Sequence, residues 1–510
     1  MRIGQDIEPT KTALILAAGP HIDYRTLEQR SLAFARLLRT HGLVEGDHIA
    51  LLLDNGSAMF EVGWAAQRTG LYYTPVNYHL SVDEAAYIVA DCGAKALFAA
   101  GSLRDLAVEV ADRVPGLTLK VVTEGTAPGF RTAEEALRAA GDESVSDQRD
   151  GMFMFYSSGT SGYPKGILRD LPEKPFSGLP PMAATLGALF GMDADTVYLS
   201  PGPLYHAAPL GWSMGVQGLG GTAVVMERFD AEQTLALIEE HRVTHAQFVP
   251  TMFRRMLTLP DDVRAKYDLS SLRVVVHAAA PCPIELKRAV IDWFGPIVHE
   301  FYAGSEGTGF FLIDTPAWLA HPGSVGRPAI GSVHVCDDDG NELPLGETGT
   351  IWFEGTPGFE YHNDPEKTAG AFDARGWSTL GDLGRVDDEG YLYLTDRRSD
   401  LILSGGVNIY PQEIENALSL HPAIADVAVI GVPDADFGEQ VMAVVQLVPD
   451  TSLTADELIV WTRERIAHFK CPKVVEFTDE LPRLPTGKLL RRHVRDRYTA
   501  SPAAPPHRSE

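Results

Sequence analysis

Residues 156–166 read YSSGTSGYPKG, and the apolar run 152–155 leads into them. A strand that enters a Gly/Ser/Thr loop suits a nucleotide triphosphate, because glycine lets the backbone approach phosphates and N–H and hydroxyl groups point at the anion. Lys165 adds one mobile positive charge. Pro164 precedes it, so this is not the Walker loop, which ends in Gly-Lys-Ser/Thr. A polar surface turn is the usual alternative for a Gly/Ser-rich run, but the complete string favours a phosphate loop.

Length and charge limit the classes of function. The chain has 510 residues, a length that predicts about three domains. Of these residues, 45% are apolar and 22% charged, which is an ordinary globular composition. The formal net charge is −26, from 43 basic and 69 acidic residues. Such a surface repels nucleic acid and anionic membranes, so we expect neither as a partner. A polyanionic cofactor would need a local cluster of positive charge.

The sequence predicts a cytoplasmic protein without a membrane span. It has no apolar run of about 20 residues, and the stretch MRIGQDIEPTK lacks the apolar core of a signal peptide. The cysteines are scattered without a C-x-x-C pair, which argues against a disulfide framework or a zinc knuckle. They are Cys92, Cys282, Cys336 and Cys471.

Alternating helical and strand patterns predict an α/β fold. Helical spacing at 59–68 followed by a strand pattern at 71–76 is typical of βαβ units and parallel sheets. Between about 331 and 395, short strand patterns separated by DDDG and DDEG turns predict a small β-barrel-like unit.

The predicted domain organisation is a large N-terminal domain, a small C-terminal domain and a tail. We place the N-terminal domain at 1–397, including the β-rich unit, and a mobile α+β domain at 398–498. The tail 499–510 is rich in Pro, Ala and Ser, so we expect it to be disordered.

The loop 156–166 resembles the phosphate loop of the acyl-adenylate-forming superfamily, which includes acyl-CoA synthetases, adenylation domains and luciferases. Further segments resemble the motifs of this family in the same order along the chain. They are YAGSEG (302–307), Gly381-Asp382, Asp396-Arg397, SGGVNIYPQEIE (404–415) and LPRLPTGKLLRR (481–492).

The resemblance implies a two-step reaction that uses ATP, Mg²⁺ and coenzyme A. The carboxylate of a small acid attacks the α-phosphorus of ATP, which gives acyl-AMP and pyrophosphate, and the CoA thiol then displaces AMP. Because a carboxylate is a poor nucleophile towards a polyanion, the protein must contribute positive charge and alignment.

The resemblance assigns catalytic roles to Lys488, Glu306 and His206. Lys488 would bridge the attacking carboxylate and the phosphate. Glu306 would bind Mg²⁺, with Thr160 near the metal or the phosphates. His206, in PLYHAAP, matches a histidine that lines the acyl pocket, although a lone histidine is as often structural.

Nucleotide contacts are also implied by the resemblance. Tyr302 would stack on adenine, with a core aromatic as the alternative, and Asp382 would bind the ribose hydroxyls. His277 opens the adenine segment HAAAP, where the family usually has Ser or Gly. The predicted cofactor-binding residues are Ser157, Ser158, Gly159, Thr160, Ser161, Gly162, Lys165, Ala279, Ala280, Pro281, Tyr302, Ser305, Asp382, Arg397, Gly405 and Gly406.

An acyl pocket and a hinge complete the expected site. Trp212 would shorten the pocket whereas Ala303 and Gly304 leave room, so the chain length of the acid stays open. The predicted lining residues are Trp212, Met214, Val249, Ala278, Ala303 and Gly304. The hinge is expected at Ser399. A basic face for the CoA phosphates, with a solvated helix surface as the alternative, is expected from Lys470, Lys473, Arg491 and Arg492.

We therefore predict an ATP-dependent acyl-CoA synthetase for a fatty or other hydrophobic acid. One alternative is a free-standing adenylation enzyme that loads a carrier protein. Another is a silent nucleotide-binding protein, against which the joint presence of Lys488, Glu306, Asp382 and Lys165 argues. A homodimer is the default oligomeric state. His241 and His245 have the spacing of a two-histidine metal face, but without an accompanying Glu motif we interpret them as structural.

Overall fold

Two large sheets and three smaller ones organise the described part of the chain. The structure, a computed structural model, describes residues 2–4, 6–157, 164–397 (Arg397 by its backbone), 400–404, 407–434, 437–483 and 489–499. The strands of the first half are β1 (Thr12–Leu16), β2 (His21–Asp23), β3 (His48–Leu52), β4 (Tyr72–Pro75), β5 (Ala94–Ala99), β6 (Leu119–Val122), β7 (Arg131–Thr132), β8 (Met152–Phe153), β9 (Phe155–Ser157), β10 (Lys165–Leu168), β11 (Val197–Ser200), β12 (Thr222–Val225) and β13 (His245–Phe248). Those of the second half are β14 (Val274–His277), β15 (Val298–Tyr302), β16 (Phe310–Ile313), β17 (Arg327–Ile330), β18 (Ser332–Cys336), β19 (Gly349–Glu354), β20 (Glu360–Tyr361), β21 (Asp382–Val386), β22 (Leu392–Arg397), β23 (Ile402–Ser404), β24 (Val407–Ile409), β25 (Ile424–Asp434), β26 (Gly438–Leu447) and β27 (Val474–Phe477).

Helices connect these strands, and several begin at a side-chain cap. Before α3, the Ser81 hydroxyl accepts a hydrogen bond from the Glu84 backbone N–H while Glu84 binds back to the backbone of Ser81, which satisfies two donors that the first helical turn leaves open. The helices are α1 (Tyr24–Thr40), α2 (Ser57–Arg68), α3 (Val82–Asp91), α4 (Arg104–Arg113), α5 (Ala133–Ala139), α6 (Pro181–Phe190), α7 (Ala207–Gly218), α8 (Ala231–Glu240), α9 (Pro250–Leu257), α10 (Asp261–Arg264), α11 (Ile284–Phe294), α12 (Thr315–Ala320), α13 (Pro365–Gly370), α14 (Pro411–Leu418), α15 (Ala455–Arg463) and α16 (Arg491–Thr499).

The first large sheet is parallel throughout. Its six strands follow the order β7-β6-β5-β3-β4-β8. Strand β5 is buried at every position except Lys95, which is the apolar pattern of a parallel strand covered on both faces. The last strand, β8, runs into the chain that forms β9 and the phosphate loop.

The second large sheet is parallel at its centre and antiparallel at its edges. The order is β17-β16-β15-β14-β13-β11-β12-β1-β2, and β15, β14, β13, β11, β12 and β1 run in the same direction. Because the carboxyl ends of parallel strands meet at one edge, the loops that follow β13, β14 and β15 are neighbours there.

Smaller sheets follow in the second half of the chain. Strands β18, β19, β21 and β22 form a four-stranded antiparallel sheet, so within the described residues the β-rich unit is an open sheet and not the barrel-like closure expected. Strand β10 lies between β9 and β20 in a three-stranded sheet. The C-terminal sheet has the order β24-β23-β26-β25, with β27 parallel to β26.

The predicted α/β class, with a large N-terminal and a small C-terminal domain, is confirmed. The boundary at 397/398 stays a prediction, since residues 398–399 lie outside the described part, as does most of the tail. Within the described residues, no helix is both long and apolar enough to cross a bilayer.

Candidate active site

Three parallel strands place the predicted nucleotide segments at one edge of the nine-stranded sheet. Across β13, β14 and β15 the residues opposite one another are Phe248, His277 and Glu300. The chain that follows these strands contains Val249, residues 278–281 and residues 303–307. The sheet therefore brings the HAAAP and YAGSEG segments together.

Tyr302 and Asp382 are in direct contact at this edge. The Tyr302 hydroxyl donates a hydrogen bond of 2.5 Å to Asp382 Oδ2, and Asp382 is only 7% exposed. The tyrosine ring packs 5.8 Å from the ring of Phe311 and 6.3 Å from that of Phe353. The residues predicted for adenine and ribose thus lie side by side, and Tyr302 is also part of an aromatic core.

Strand pairing places Arg397 next to Asp382. The two residues are opposite each other in the β21–β22 ladder. Gly381 precedes Asp382 with a φ of +75°, a left-handed conformation that glycine adopts without a steric penalty. Two motifs that are separate in the sequence are therefore cross-strand neighbours, with the Arg397 side chain outside the described part.

Glu306 is nearly buried and held by a tyrosine that the sequence analysis did not select. The Tyr361 hydroxyl donates to Glu306 Oε1 at 3.0 Å, and Glu306 is 9% exposed. A Cβ on Gly304 would lie 2.8 Å from Glu306 Oε2 and 2.6 Å from Leu380. Gly304 therefore makes room for the carboxylate, a more direct role than lining the acyl pocket.

Arg169, the residue that follows β10, supports the same loop. Its Nη2 donates to the Ser305 carbonyl at 2.8 Å. Gly307 adopts a φ of +78°, and a side chain there would collide with the guanidinium. Burial lowers the pKa of Arg169, an effect that the nearby Glu306 charge opposes. An arginine just beyond the phosphate loop thus fixes the backbone next to the predicted metal ligand.

Lys165 forms an ion pair with Asp364. The two atoms, Nζ and Oδ2, are 2.6 Å apart. This hydrogen bond raises the pKa of Lys165 and is the first cause of the lowered pKa of Asp364. Lys165 begins β10 opposite Ser157 of β9. The predicted phosphate lysine is therefore at the end of the loop, but already paired with a carboxylate.

Sequence reasoning missed Arg169, Tyr361 and Asp364. The Asp-Pro pair 364–365 is a helix-start signal, and Asp364 does cap α13. Nothing in the local sequence indicates that Tyr361 reaches Glu306, 55 positions away. Only the antiparallel pairing of β20 with β10 places this segment between the two predicted charges.

His277 faces the interior of the protein. It is fully buried, its Nε2 lies 3.6 Å from Glu300 Oε2, and Lys287 Nζ is 2.5 Å from the same carboxylate oxygen. Burial, and then the Lys287 charge, lower the pKa of His277 well below its ordinary value. His277 is thus a neutral core residue, whereas Ala279 and Pro281 are exposed and Ala280 is half-buried.

Trp212 is buried in an aromatic cluster and is 1% exposed. Its ring stacks on Phe301 at 5.5 Å and lies 4.9 Å from the ring of Phe190. Ala278 belongs to the same buried cluster, and Ala303 packs against it. The predicted lining residues Trp212, Ala278 and Ala303 are therefore brought together, with an aromatic core behind them.

Met214 does not share this cluster. Its sulfur accepts a hydrogen bond of 3.7 Å from the Tyr73 hydroxyl, and it belongs to the core between the two large sheets. Two positions on α7 correspond to about 200° of rotation, so Met214 and Trp212 project to opposite sides. We therefore remove Met214 from the candidate pocket.

His206 and Val249 lie at helix starts near the same edge. His206 occupies the N-cap position of α7 without a side-chain capping bond, and its ring is 4.6 Å from that of Tyr205. Val249 occupies the N-cap position of α9. Both are partly buried, positions consistent with the edge of a pocket.

The expected basic C-terminal face is only partly formed. Lys470 Nζ lies 2.7 Å from Glu413, and the Arg491 side chain is 12% exposed, with Nη2 2.7 Å from Glu415 and Nη1 2.8 Å from Asp400. Arg491 therefore holds the C-terminal domain together and does not belong to that face. Lys473 is exposed, with Nζ 3.9 Å from the Phe437 ring centre.

Several predicted site residues lie outside the described part of the chain. They are Ser158, Gly159, Thr160, Ser161, Gly162, Ser399, Gly405, Gly406 and Lys488. Their assigned roles stay predictions.

The structure gives His245 side-chain contacts within the core and places His241 at a helix end. His241 caps the end of α8. The His245 ring bridges the Thr244 hydroxyl at 2.8 Å and the Phe190 carbonyl at 3.0 Å. Within the described ranges, no group of three or more His, Cys, Asp or Glu side chains could hold a metal.

Comparison with known proteins identifies the family. The family described as AMP-binding enzyme matches residues 5–359, and the AMP-binding enzyme C-terminal domain matches residues 413–488. A feruloyl-CoA synthase of Amycolatopsis sp is 34% identical over 498 residues, covering 96% of this chain and 97% of that protein. The fatty acid–[acyl-carrier-protein] ligase ScoC of Streptomyces coeruleorubidus is 33% identical, covering 96% and 94%.

A solved structure is similar over the same length. The ATP-bound MatB from Rhodopseudomonas palustris superimposes with a TM-score of 0.82 at 30% identity, covering 96% of each chain. The resemblance drawn from these sequence motifs is thereby confirmed. The chain belongs to the AMP-binding enzyme family, within the acyl-adenylate-forming superfamily, and is an AMP-forming acid–thiol ligase.

Proposed function

We propose that this ligase activates a hydrophobic carboxylic acid with ATP and transfers the acyl group to free CoA. The observation that carries the proposal is the buried apolar cluster that contains the predicted lining residues Trp212 and Ala278, with Ala303 packed against it. An apolar wall favours a hydrophobic acyl group, because burial removes apolar surface from water. The similarity to a feruloyl-CoA synthase supports the same class of acid.

In the first step, different residues would bind different parts of the two substrates. Tyr302 and Asp382 would hold adenosine, Lys165 would bind the outer phosphates, and Lys488 would bring positive charge to the reacting carboxylate and phosphate. His206 and Val249 would position the acid. In the second step, rotation at Ser399 would bring Gly405 and Gly406 beside the CoA chain.

Glu306 fits the role of a magnesium ligand. It is a carboxylate at the nucleotide edge of the sheet, and Mg²⁺ prefers oxygen ligands from one or two carboxylates together with phosphates and water. Thr160 would contribute near this position. A bound Mg²⁺ would neutralise charge on the phosphates.

The remaining features of the proposal follow from sequence and charge. We infer a cytoplasmic protein that does not bind nucleic acid, because its net charge is −26, and a homodimer as its assembly. The alternative acceptor is a carrier protein, which the similarity to ScoC favours.

A panel of carboxylic acids tests the proposal. Pyrophosphate release should occur with hydrophobic acids, and a CoA thioester should accumulate only when CoA is present. Pyrophosphate release with no thioester on free CoA would favour the carrier-protein alternative. Lys488→Ala should reduce acyl-AMP formation by orders of magnitude while ATP still binds, and near-normal activity in that variant would disprove the role of Lys488.

A further inference from the structure

The ion pair between Lys165 and Asp364 lies at the end of the phosphate loop. Its atoms are 2.6 Å apart, and each side chain is 24% exposed. The sheet builds this contact, since Ile167 of β10 is paired with Tyr361 of β20 and Asp364 follows three residues later. A pair made by strand register is a feature of the fold, not a chance meeting of two surface side chains.

The two partners differ in how firmly they are held. Asp364 Oδ1 also accepts a hydrogen bond of 3.1 Å from the Lys367 backbone N–H, which caps α13. Lys165 has a flexible four-carbon side chain that ends in a compact ammonium group. Exchange of partners would therefore move the lysine and leave the aspartate in place.

The ion pair reduces the positive charge that Lys165 offers to a nucleotide. While Asp364 is bound, Lys165 presents a nearly neutral pair to an incoming triphosphate. A partly exposed ion pair is weak, so phosphate oxygens can replace the carboxylate. Lys367 and Glu306 are charged neighbours of the pair, since burial and next the Lys165 charge lower the pKa of Lys367 while Glu306 opposes the shift.

We propose that Asp364 is the resting counter-ion of Lys165, which it releases to the outer phosphates of ATP when the nucleotide binds. The inference rests on the phosphate role proposed above for Lys165. Asp364 then opposes ATP binding and keeps the lysine ordered beside the loop until the triphosphate arrives. It would discriminate between nucleotides, because AMP has no outer phosphates to take the lysine.

The chain offers a matched pair of aspartates for the test. Asp364→Asn removes the charge but keeps the cap, since Asn is as good an N-cap as Asp. Asp314 also caps a six-residue helix, α12, that has proline in its first turn, and Asp314 Oδ1 accepts from Ala317 N–H at 2.9 Å. Asp314→Asn is therefore the control for a change in capping. Asp364→Ser is a second uncharged variant with a capping side chain.

Calorimetric titration of the full chain with ATP and with AMP measures the effect directly, without the acid substrate. We expect Asp364→Asn and Asp364→Ser to bind ATP about three- to tenfold more tightly than the native chain, with AMP affinity and the Asp314→Asn control unchanged. In a Lys165→Gln background the Asp364 substitution should have no effect, since interacting residues are non-additive. Thermal unfolding would show that each variant is folded.

Two results would overturn the inference alone. They are unchanged or weaker ATP binding by both folded Asp364 variants, or an equal change for ATP and AMP. Native protein that bound neither nucleotide would instead contradict the proposed function itself. The two failures are therefore distinguishable.

Discussion

The Tyr302 hydroxyl donates a hydrogen bond of 2.5 Å to Asp382 Oδ2, although the two residues are 80 positions apart. One residue ends a strand of the nine-stranded sheet, and the other begins a strand of the antiparallel sheet. The contact therefore joins the two sheets at the nucleotide side of the site. It also limits where the Asp382 carboxylate can point, which would favour the ribose-binding role proposed for it.

Asp382→Asn should raise the KM for ATP by about tenfold, because hydrogen bonds to a charged group contribute about 1.5–3 kcal/mol. The KM for the acid should change little. Tyr302→Phe keeps the ring but removes the hydroxyl, and we expect a smaller rise. Steady-state kinetics with each substrate varied in turn measures both, and an Asp382→Asn effect confined to the acid would contradict the ribose role.

Trp212→Leu should shift the substrate preference towards bulkier acids by about tenfold in relative kcat/KM. A small difference in fit between an apolar pocket and its substrate changes discrimination by about 1–3 kcal/mol. It should also lower the free energy of unfolding by roughly 2–4 kcal/mol through the cavity it leaves. Met214→Leu is the control, since Met214 packs on the other side of α7 against Tyr73. An equal shift in both variants would show that Trp212 does not line the pocket.

Arg491→Met should destabilise the C-terminal domain by about 3–5 kcal/mol, because it leaves the buried Glu415 carboxylate without its cationic partner. Glu415 also accepts a hydrogen bond from the Val429 backbone N–H in β25, so hydrogen exchange of β25 should accelerate. Arg492→Met is the neighbouring control, since Arg492 is exposed and lies 3.6 Å from Asp496. Similar exchange rates in both variants would contradict the structural role of Arg491.

His48 should make stability depend on pH between about 6.5 and 4. Burial, and next the charge of His362, lower its pKa to about 4, while Asp47 opposes the shift. The unfolded chain binds a proton below about 6.5 and the folded one only near 4, so stability is complete above 6.5 and falls as the pH decreases. Between these pH values, the free energy of unfolding should fall by about 2 kcal/mol more for the native protein than for His48→Phe. This variant keeps a ring against Tyr72. Chemical unfolding across the pH range measures this, and parallel curves would exclude His48 as the cause.

Local patterns were sufficient for much of the fold. The helical spacing at 59–68 and the strand pattern at 71–76 correspond to α2 (Ser57–Arg68) and β4 (Tyr72–Pro75), because the apolar pattern of each element acts within a few residues. The same reasoning failed for Met214, where the pocket assignment ignored the helical rotation from Trp212. It also failed for Arg491, whose charge suggested a surface although three carboxylates surround it.

The sequence alone was enough to identify the family, the α/β class and the class of reaction, because the motifs of this family are short local patterns of glycine, proline and charged residues. Only the tertiary structure decided which side chains contact the predicted site residues Glu306 and Lys165. Tyr361 reaches Glu306 and Asp364 reaches Lys165 because β20 pairs with β10. Strand pairing between distant segments depends on the packing of the whole core, so no short stretch of sequence contains that information.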